Sequence, residues 1–265
     1  MKRLKTLLGA SVIACAAVAP AEAHFQLIYT PEANLEKPGD IPILLVFWHP
    51  FENGHAMDMA KPNQFFVVTK DNKRTDLLDK LTPVTFKGAE NSAAAFETKF
   101  PVRALGDYIF VLDPAPYWEP TEDHFIHQIT KAYVNMGEAP TNWDQPVGLP
   151  TEIVPLNKPT AIVAGSTFSG RVLTDGKPAA DIEIEVEHVA AEPDLATLTP
   201  GKPAVSPPPG GTLVVHTDSN GVFTFGIPRP GYWGFSAIDS GPNKKFKDKD
   251  QEEDAVIWIH ANELK

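Results

Sequence analysis

Apolar positions in this chain come in short runs of strand length, cut by proline, glycine and polar turns, and no long segment carries the 3.6-residue period of an amphipathic helix. Ile43 to Trp48 is one such run, bounded by Pro42 and Pro50. Phe65 to Thr69 is a second and leads into the turn Lys70-Asp71-Asn72-Lys73. Ala94 to Phe100 and Tyr108 to Leu112 form a pair around Pro101 and Gly106-Asp107, and Phe125 to Val134 is β-branched and aromatic enough for another strand. Gly106-Asp107-Tyr108 ahead of a strand matches the tyrosine corner of immunoglobulin-like sandwiches.

Residues 135–159 lack any period and carry Pro140, Pro146, Pro150, Pro155 and Pro159, which reads as a connection between domains. Strand signals then resume at Phe168 to Leu173, before the turn Thr174 to Pro178. Ile182 to Val186 alternates apolar with acidic, so one face of that strand is expected to be wet. A proline-rich excursion over 190–211 separates it from Val214 to Thr217, the turn Asp218-Ser219-Asn220-Gly221 and Val222 to Phe225. The charged tract Lys244 to Asp254 reads as a solvated loop before a last strand, Val256 to Ile259. The expectation is an all-β protein of two β-sandwich domains, 24–159 (with 135–159 as linker) and 160–265.

The segment ahead of these patterns has a different design. Lys2, Arg3 and Lys5 precede an apolar run from Leu7 to Val18 and the small-residue site Ala21-Glu22-Ala23, the layout of a cleaved signal peptide over 1–23. The run is too short to span a bilayer. Export to the periplasm follows, with a mature chain beginning at His24. A competing reading takes Val12-Ile13-Ala14-Cys15 as a lipobox, which would anchor the protein by a lipid at Cys15 and bury His24 in a tether. Cys15 is the single cysteine, so the remainder folds without disulfides.

Charge narrows the ligand. The formal net charge of −11 argues against nucleic acid and suits a cationic ligand. The chain has eight histidines, five of them at 24, 49, 55, 124 and 127. A histidine at a free N-terminus chelates through its α-amine and Nδ1, and metal binding must then displace protons. The segment Trp48 to Met59 places His49, Glu52, His55, Asp58, Met57 and Met59 at the end of a strand. Imidazoles suit nickel, cobalt, copper and zinc, whereas thioethers favour Cu(I). The plainer reading packs His49 at a strand end, exposes His55 and lets both methionines fill core gaps.

Three-residue spacing on a strand puts His124 and His127 on opposite faces, so at most one reaches a site; His127 is either a ligand or a satisfied core histidine. His188 and His216 are candidates for a cross-strand pair, with an accidental surface pair as the simpler alternative, and His260 reads as a terminal strand residue. Pro116-Tyr117-Trp118-Glu119-Pro120 reads as a rigid packed loop, with Glu119 and Glu122 as minor ligand candidates. No phosphate-cradling glycine loop or nucleophile elbow is present.

Several stretches together resemble a family of exported proteins associated with nickel and cobalt uptake transporters: Ala23-His24-Phe25, His49-Pro50-Phe51-Glu52, Gly106-Asp107-Tyr108, Tyr117-Trp118-Glu119, Val147-Gly148-Leu149-Pro150, Gly170-Arg171-Val172-Leu173 and Gly231-Tyr232-Trp233-Gly234-Phe235. The resemblance implies nickel or cobalt binding outside the inner membrane, with His24, His49 and Glu52 at matching positions and a membrane transporter as partner. The second half is also similar to the transthyretin-like modules attached to carboxypeptidases. The metal set expected is thus His24, His49, Glu52, His55 and His127. Alternative functions are a periplasmic copper carrier, a copper-brace oxidative enzyme and a metal-free adhesion or structural module.

Overall fold

The computed structural model describes residues 24–207 and 211–264. The expected signal segment 1–23 and Cys15 lie outside the described residues. Among those residues the regular structure is β-strand apart from two single-turn 3-10 segments, Lys70–Asn72 and Leu78–Lys80, which makes the chain all-β as its short apolar runs require.

A long mixed sheet forms the middle of the molecule. Its strands run in the order Leu213–His216, Glu183–His188, Gly231–Ala237, Lys249–Asn262, His124–Met136, Gly106–Asp113, Gln64–Thr69 and Lys73–Asp76. The first and second halves of the chain meet inside it, where His124–Met136 pairs in parallel with Lys249–Asn262 from Phe125↔Gln251 to Ala132↔Trp258. A second sheet of Phe25–Tyr29, Gly39–Trp48, Ser92–Val102 and Thr82–Lys87 covers one face. A third, built on Thr167–Thr174 with Thr151–Pro155 and Val222–Gly226 beside it, covers the other.

Two apolar cores result, and alternate residues of the central strands feed them. Tyr108, Phe110 and Leu112 join one core, and Ile109 and Val111 the other. Val256 and Trp258 likewise face Phe25 and Trp48, while Ala255, Ile257 and Ile259 face Phe168 and Phe235. Burial on both faces is why Tyr108 to Leu112 is a continuous apolar run rather than an alternating one. The tyrosine corner is present: the Tyr108 hydroxyl donates to the Ala104 carbonyl at 2.8 Å and accepts from the Ala104 amide at 2.9 Å.

Four sequence expectations change here. The charged tract to Asp254 is no solvated loop. The last strand begins at Lys249, and Gln251, Glu253 and Asp254 are buried because the sheet supplies their partners: Glu253 meets His127 and Asn243, and Asp254 accepts from Gln128 and from the Asp239 amide. The aperiodic stretch 135–159 contains a strand, Thr151–Pro155, which pairs with Thr167–Thr174. The acidic face of Glu183–His188 is exposed at Glu183 and half-buried at Glu185, but Glu187 is buried and accepts the Phe51 amide at 2.9 Å. Finally, His188 and His216 are not a cross-strand pair, because the register sets His216 opposite Glu183.

Candidate metal centre

The site begins with the way Gly39–Trp48 ends. The chain turns through Pro50 to Gly54, and the Gly54 amide donates back to the His49 carbonyl at 3.0 Å. Asn53 takes a positive φ of 52°, a conformation asparagine tolerates better than most residues. At Gly54 a Cβ would stand only 3.2 Å from the His49 Cβ, so a small residue is needed for the turn to close. The Trp48 indole Nε1 donates to the Gly54 carbonyl at 2.9 Å, and the Asn91 side chain brackets Ala56 through both its amide and its carbonyl. This closure brings His55 back over His49, with ring centroids 4.4 Å apart.

His24 arrives from the opposite direction, at the start of the strand that pairs with Gly39–Trp48 in the register Phe25↔Trp48. Its ring lies 4.5 Å from that of His49 and 6.2 Å from that of His55. One ligand nitrogen from each of His24, His49 and His55 lies within 4.8 Å of the other two. Three nitrogens bound tetrahedrally at 2.0–2.1 Å from a metal are about 3.3 Å apart. Ligand atoms up to 4.8 Å apart would therefore have to draw together by about 1.5 Å at most to form such a shell.

Burial keeps two of these imidazoles, those of His49 and His24, neutral. His49 is fully buried, and burial, with the neighbouring His24 and His55, pushes its pKa down to about 3. Burial also lowers His24, against the pull of Glu119 and Glu122. Protons thus compete weakly for the lone pairs of both at neutral pH.

Glu119 orients His24. Its Oε2 lies 3.1 Å from His24 Nε2, while its Oε1 accepts from the Thr121 amide at 2.9 Å and hydroxyl at 2.6 Å. Burial opposes the charge on Glu119, but the bonds from Thr121 and the contact with His24 outweigh it and lower its pKa. An ionised carboxylate only accepts, so the proton of His24 sits on Nε2 and Nδ1 carries the lone pair. A carboxylate behind a histidine ligand is the usual outer support of a metal site.

The surroundings favour a cation. A cavity of about 170 Å³ opens beside His24 and is bordered by Glu122, Glu185 and Glu252. Burial, reinforced by Glu252, Glu183 and Glu122, lifts Glu185 to a pKa of about 7, and Glu252 is raised as well. Because Glu185 and Glu252 come from the second half of the sequence, both halves contribute to the approach.

Of the five expected ligands, His24, His49 and His55 come together and two do not join them. Glu52 is half-buried in the turn, where its charge adds to burial in raising the pKa of Glu187. His127 points to the other face of its strand, where Nε2 lies 2.8 Å from Asp113 and Nδ1 lies 3.1 Å from Glu253. Burial opposes its charge, yet those two bonds hold its pKa up at about 9, so it is a protonated partner of carboxylates rather than a donor to a metal. The Met59 sulfur is engaged by Gln26 Nε2 at 3.4 Å. Glu119, a minor candidate from sequence, is the residue whose importance sequence reasoning understated; only its pairing with His124 in the Tyr117–Glu119 hairpin brings it to His24.

Fold and site together define an all-β protein with a cluster of three histidines at the edge of a sandwich. The chain belongs to the DUF4198 family, described as a domain of unknown function, whose model matches residues 21–241. Among solved structures it is similar to the D0-D1 domain of Intimin, at 14% identity and a TM-score of 0.22 over 89% of this chain and 99% of that one. It is also similar to the adhesin InvE of Yersinia pseudotuberculosis (12%, TM-score 0.23, 88% of this chain and 58% of that one). The fibronectin(III)-like modules of Clostridium thermocellum CbhA are a third (11%, TM-score 0.22, 90% and 95%). No curated protein sequence matches.

Proposed function

We propose that this chain binds a divalent transition-metal ion, nickel or cobalt, through His24, His49 and His55, and that it does so in the periplasm as an accessory to a metal-uptake transporter in the inner membrane. The observation that carries the reading is the convergence of three imidazole nitrogens within 4.8 Å, with Glu119 behind one of them. The preference for nickel or cobalt rests on the family resemblance in the sequence, since donor chemistry alone ranks copper above both. Cleavage between Ala23 and His24 would add the α-amine of His24 as a fourth donor next to its Nδ1.

Isothermal titration of the processed protein with Ni(II), Co(II), Cu(II) and Zn(II) tests this. Binding in the micromolar range or tighter, abolished by His49→Ala, is expected; no affinity better than roughly millimolar for any of the four overturns it. Mass spectrometry of the exported protein reads the processing site, and a mature chain beginning at Cys15 overturns the free-amine element.

Copper is the second reading, favoured by the Nδ1 lone pair that Glu119 imposes on His24, because Nδ1 is the nitrogen that pairs with an N-terminal amine in a copper brace. Oxidative cleavage of a glycan by the copper-loaded protein in the presence of O₂ and an added external reductant, which supplies the two electrons that reduce the second oxygen atom to water, would select the enzymatic form of that reading over transport.

A further inference from the structure

Next to the histidines lies a larger cavity that metal binding alone leaves unused. Its volume is about 290 Å³. The walls are mainly apolar: Phe47 and Tyr117 meet edge to face with ring centroids 5.4 Å apart, and Met59, Pro116 and Ile126 extend the lining. Apolar cavities of roughly 150 Å³ already admit benzene, so this one has room for an aromatic ring and its substituents.

The cavity and the histidine cluster share their supports. Phe47, one of its walls, packs its ring 5.8 Å from that of His24. Gln128, another wall, donates from Nε2 to the His24 carbonyl at 2.8 Å and accepts the Gln26 amide on Oε1 at 2.7 Å. Ile126 and Gln128 thus line both the carboxylate-bordered space, which His24 also borders, and the aromatic one, and Asp58 places one more carboxylate on the border of the latter.

We propose that this cavity receives the ring of a small chelating molecule of the aromatic amino-acid type, so that the metal is carried as its complex with that molecule. The proposal rests on the metal-binding reading above. Three imidazoles leave part of an octahedral shell open, and an amine and a carboxylate on one carbon fill two adjacent positions. The ring borne by the same molecule then has an apolar compartment bordered by Phe47, whose ring packs 5.8 Å from that of His24. Charge points the same way. A metal complex of one amino-acid anion is a cation, matched to Asp58, Glu119 and the glutamates beside His24, whereas a free carboxylate would be repelled. Shielding a phenyl group from water is worth on the order of ten- to a hundredfold in affinity.

The test is calorimetric titration of the full processed chain with Ni(II) alone and with Ni(II) supplied as its complex with glycine or with phenylalanine. The two complexes present the same donor atoms and differ only in the ring. The phenylalanine complex is expected to bind at least tenfold more tightly than the glycine complex. That ratio should fall to about one in Tyr117→Ala and, with the cavity filled instead of enlarged, in Ala115→Phe, while Ni(II) alone binds both variants as it binds the parent. Equal affinity for the two complexes in the parent protein overturns the chelator proposal and leaves the metal site standing. A tenfold ratio that survives both substitutions also overturns it, because the ring then sits elsewhere. Failure of Ni(II) to bind in any form overturns the metal reading itself, and the chelator proposal with it.

Discussion

Glu119 Oε2 lies 3.1 Å from His24 Nε2, across 95 residues of sequence, and this contact decides which nitrogen of His24 carries the proton. Removing the carboxylate should loosen the ring and free its tautomer. Glu119→Ala is expected to weaken metal binding about 10- to 100-fold, with Glu119→Gln intermediate because its amide oxygen still accepts from Nε2–H. Titration calorimetry of both variants measures it. Equal losses would mean that charge rather than orientation matters; no loss in either would remove Glu119 from the site.

Metal binding should register as stability. A ligand at a hundredfold excess over its Kd stabilises the folded state by about 2.7 kcal/mol, which for a chain of this size raises Tm by roughly 5–10 °C. Thermal unfolding with and without Ni(II) should show that rise in the parent and none in His49→Ala or His55→Ala. A rise that persists in both variants places the binding elsewhere.

His127 supplies a pH dependence separate from the metal. Its pKa is about 9 in the folded protein, against about 6.5 unfolded, so its contribution is fully present below pH 6.5 and is lost as pH rises through 9. The magnitude is on the order of 3 kcal/mol, reduced by residual exposure of Asp113. Denaturant unfolding between pH 6 and 10 should show this decline, and His127→Gln should flatten it. An unchanged slope in the variant would assign the effect to another group.

Lys131 and Glu152 form a buried ion pair of 2.8 Å between the central sheet and Thr151–Pro155, and Glu152 also accepts the Val147 and Gly148 amides. Lys131→Ala leaves that carboxylate buried without its cation, at a cost of about 3–5 kcal/mol. Lys131→Met with Glu152→Gln should cost less than Lys131→Ala alone. Chemical denaturation of the two proteins compares them, and a double substitution as damaging as the single one would contradict the desolvation argument.

Much of this was legible in the chain itself. Short apolar runs broken by proline and glycine imply strands, because a strand needs only five or six residues and a helix needs a longer period. Gly106-Asp107-Tyr108 announces a corner, and the segment Trp48 to Met59 places His49 and His55 in one short loop at the end of a strand. Those are local facts, set by backbone preferences within a few residues.

What the sequence could not supply is which distant groups meet. In the chain His24 stands out by its place at the expected processing site, whereas His127 reads either as a ligand or as a core histidine; the sheet separates them by offering His127 two carboxylates and His24 two imidazoles. Glu253 and Asp254 read as solvated because charge is costly to bury, and they are buried because His127 and Gln128 across the parallel junction, with Asn243 and the Asp239 amide from the preceding loop, compensate them. The strand pattern was thus determined by sequence, whereas the identity of the site was decided by long-range pairing, whose energetics depend on partners that no local segment contains.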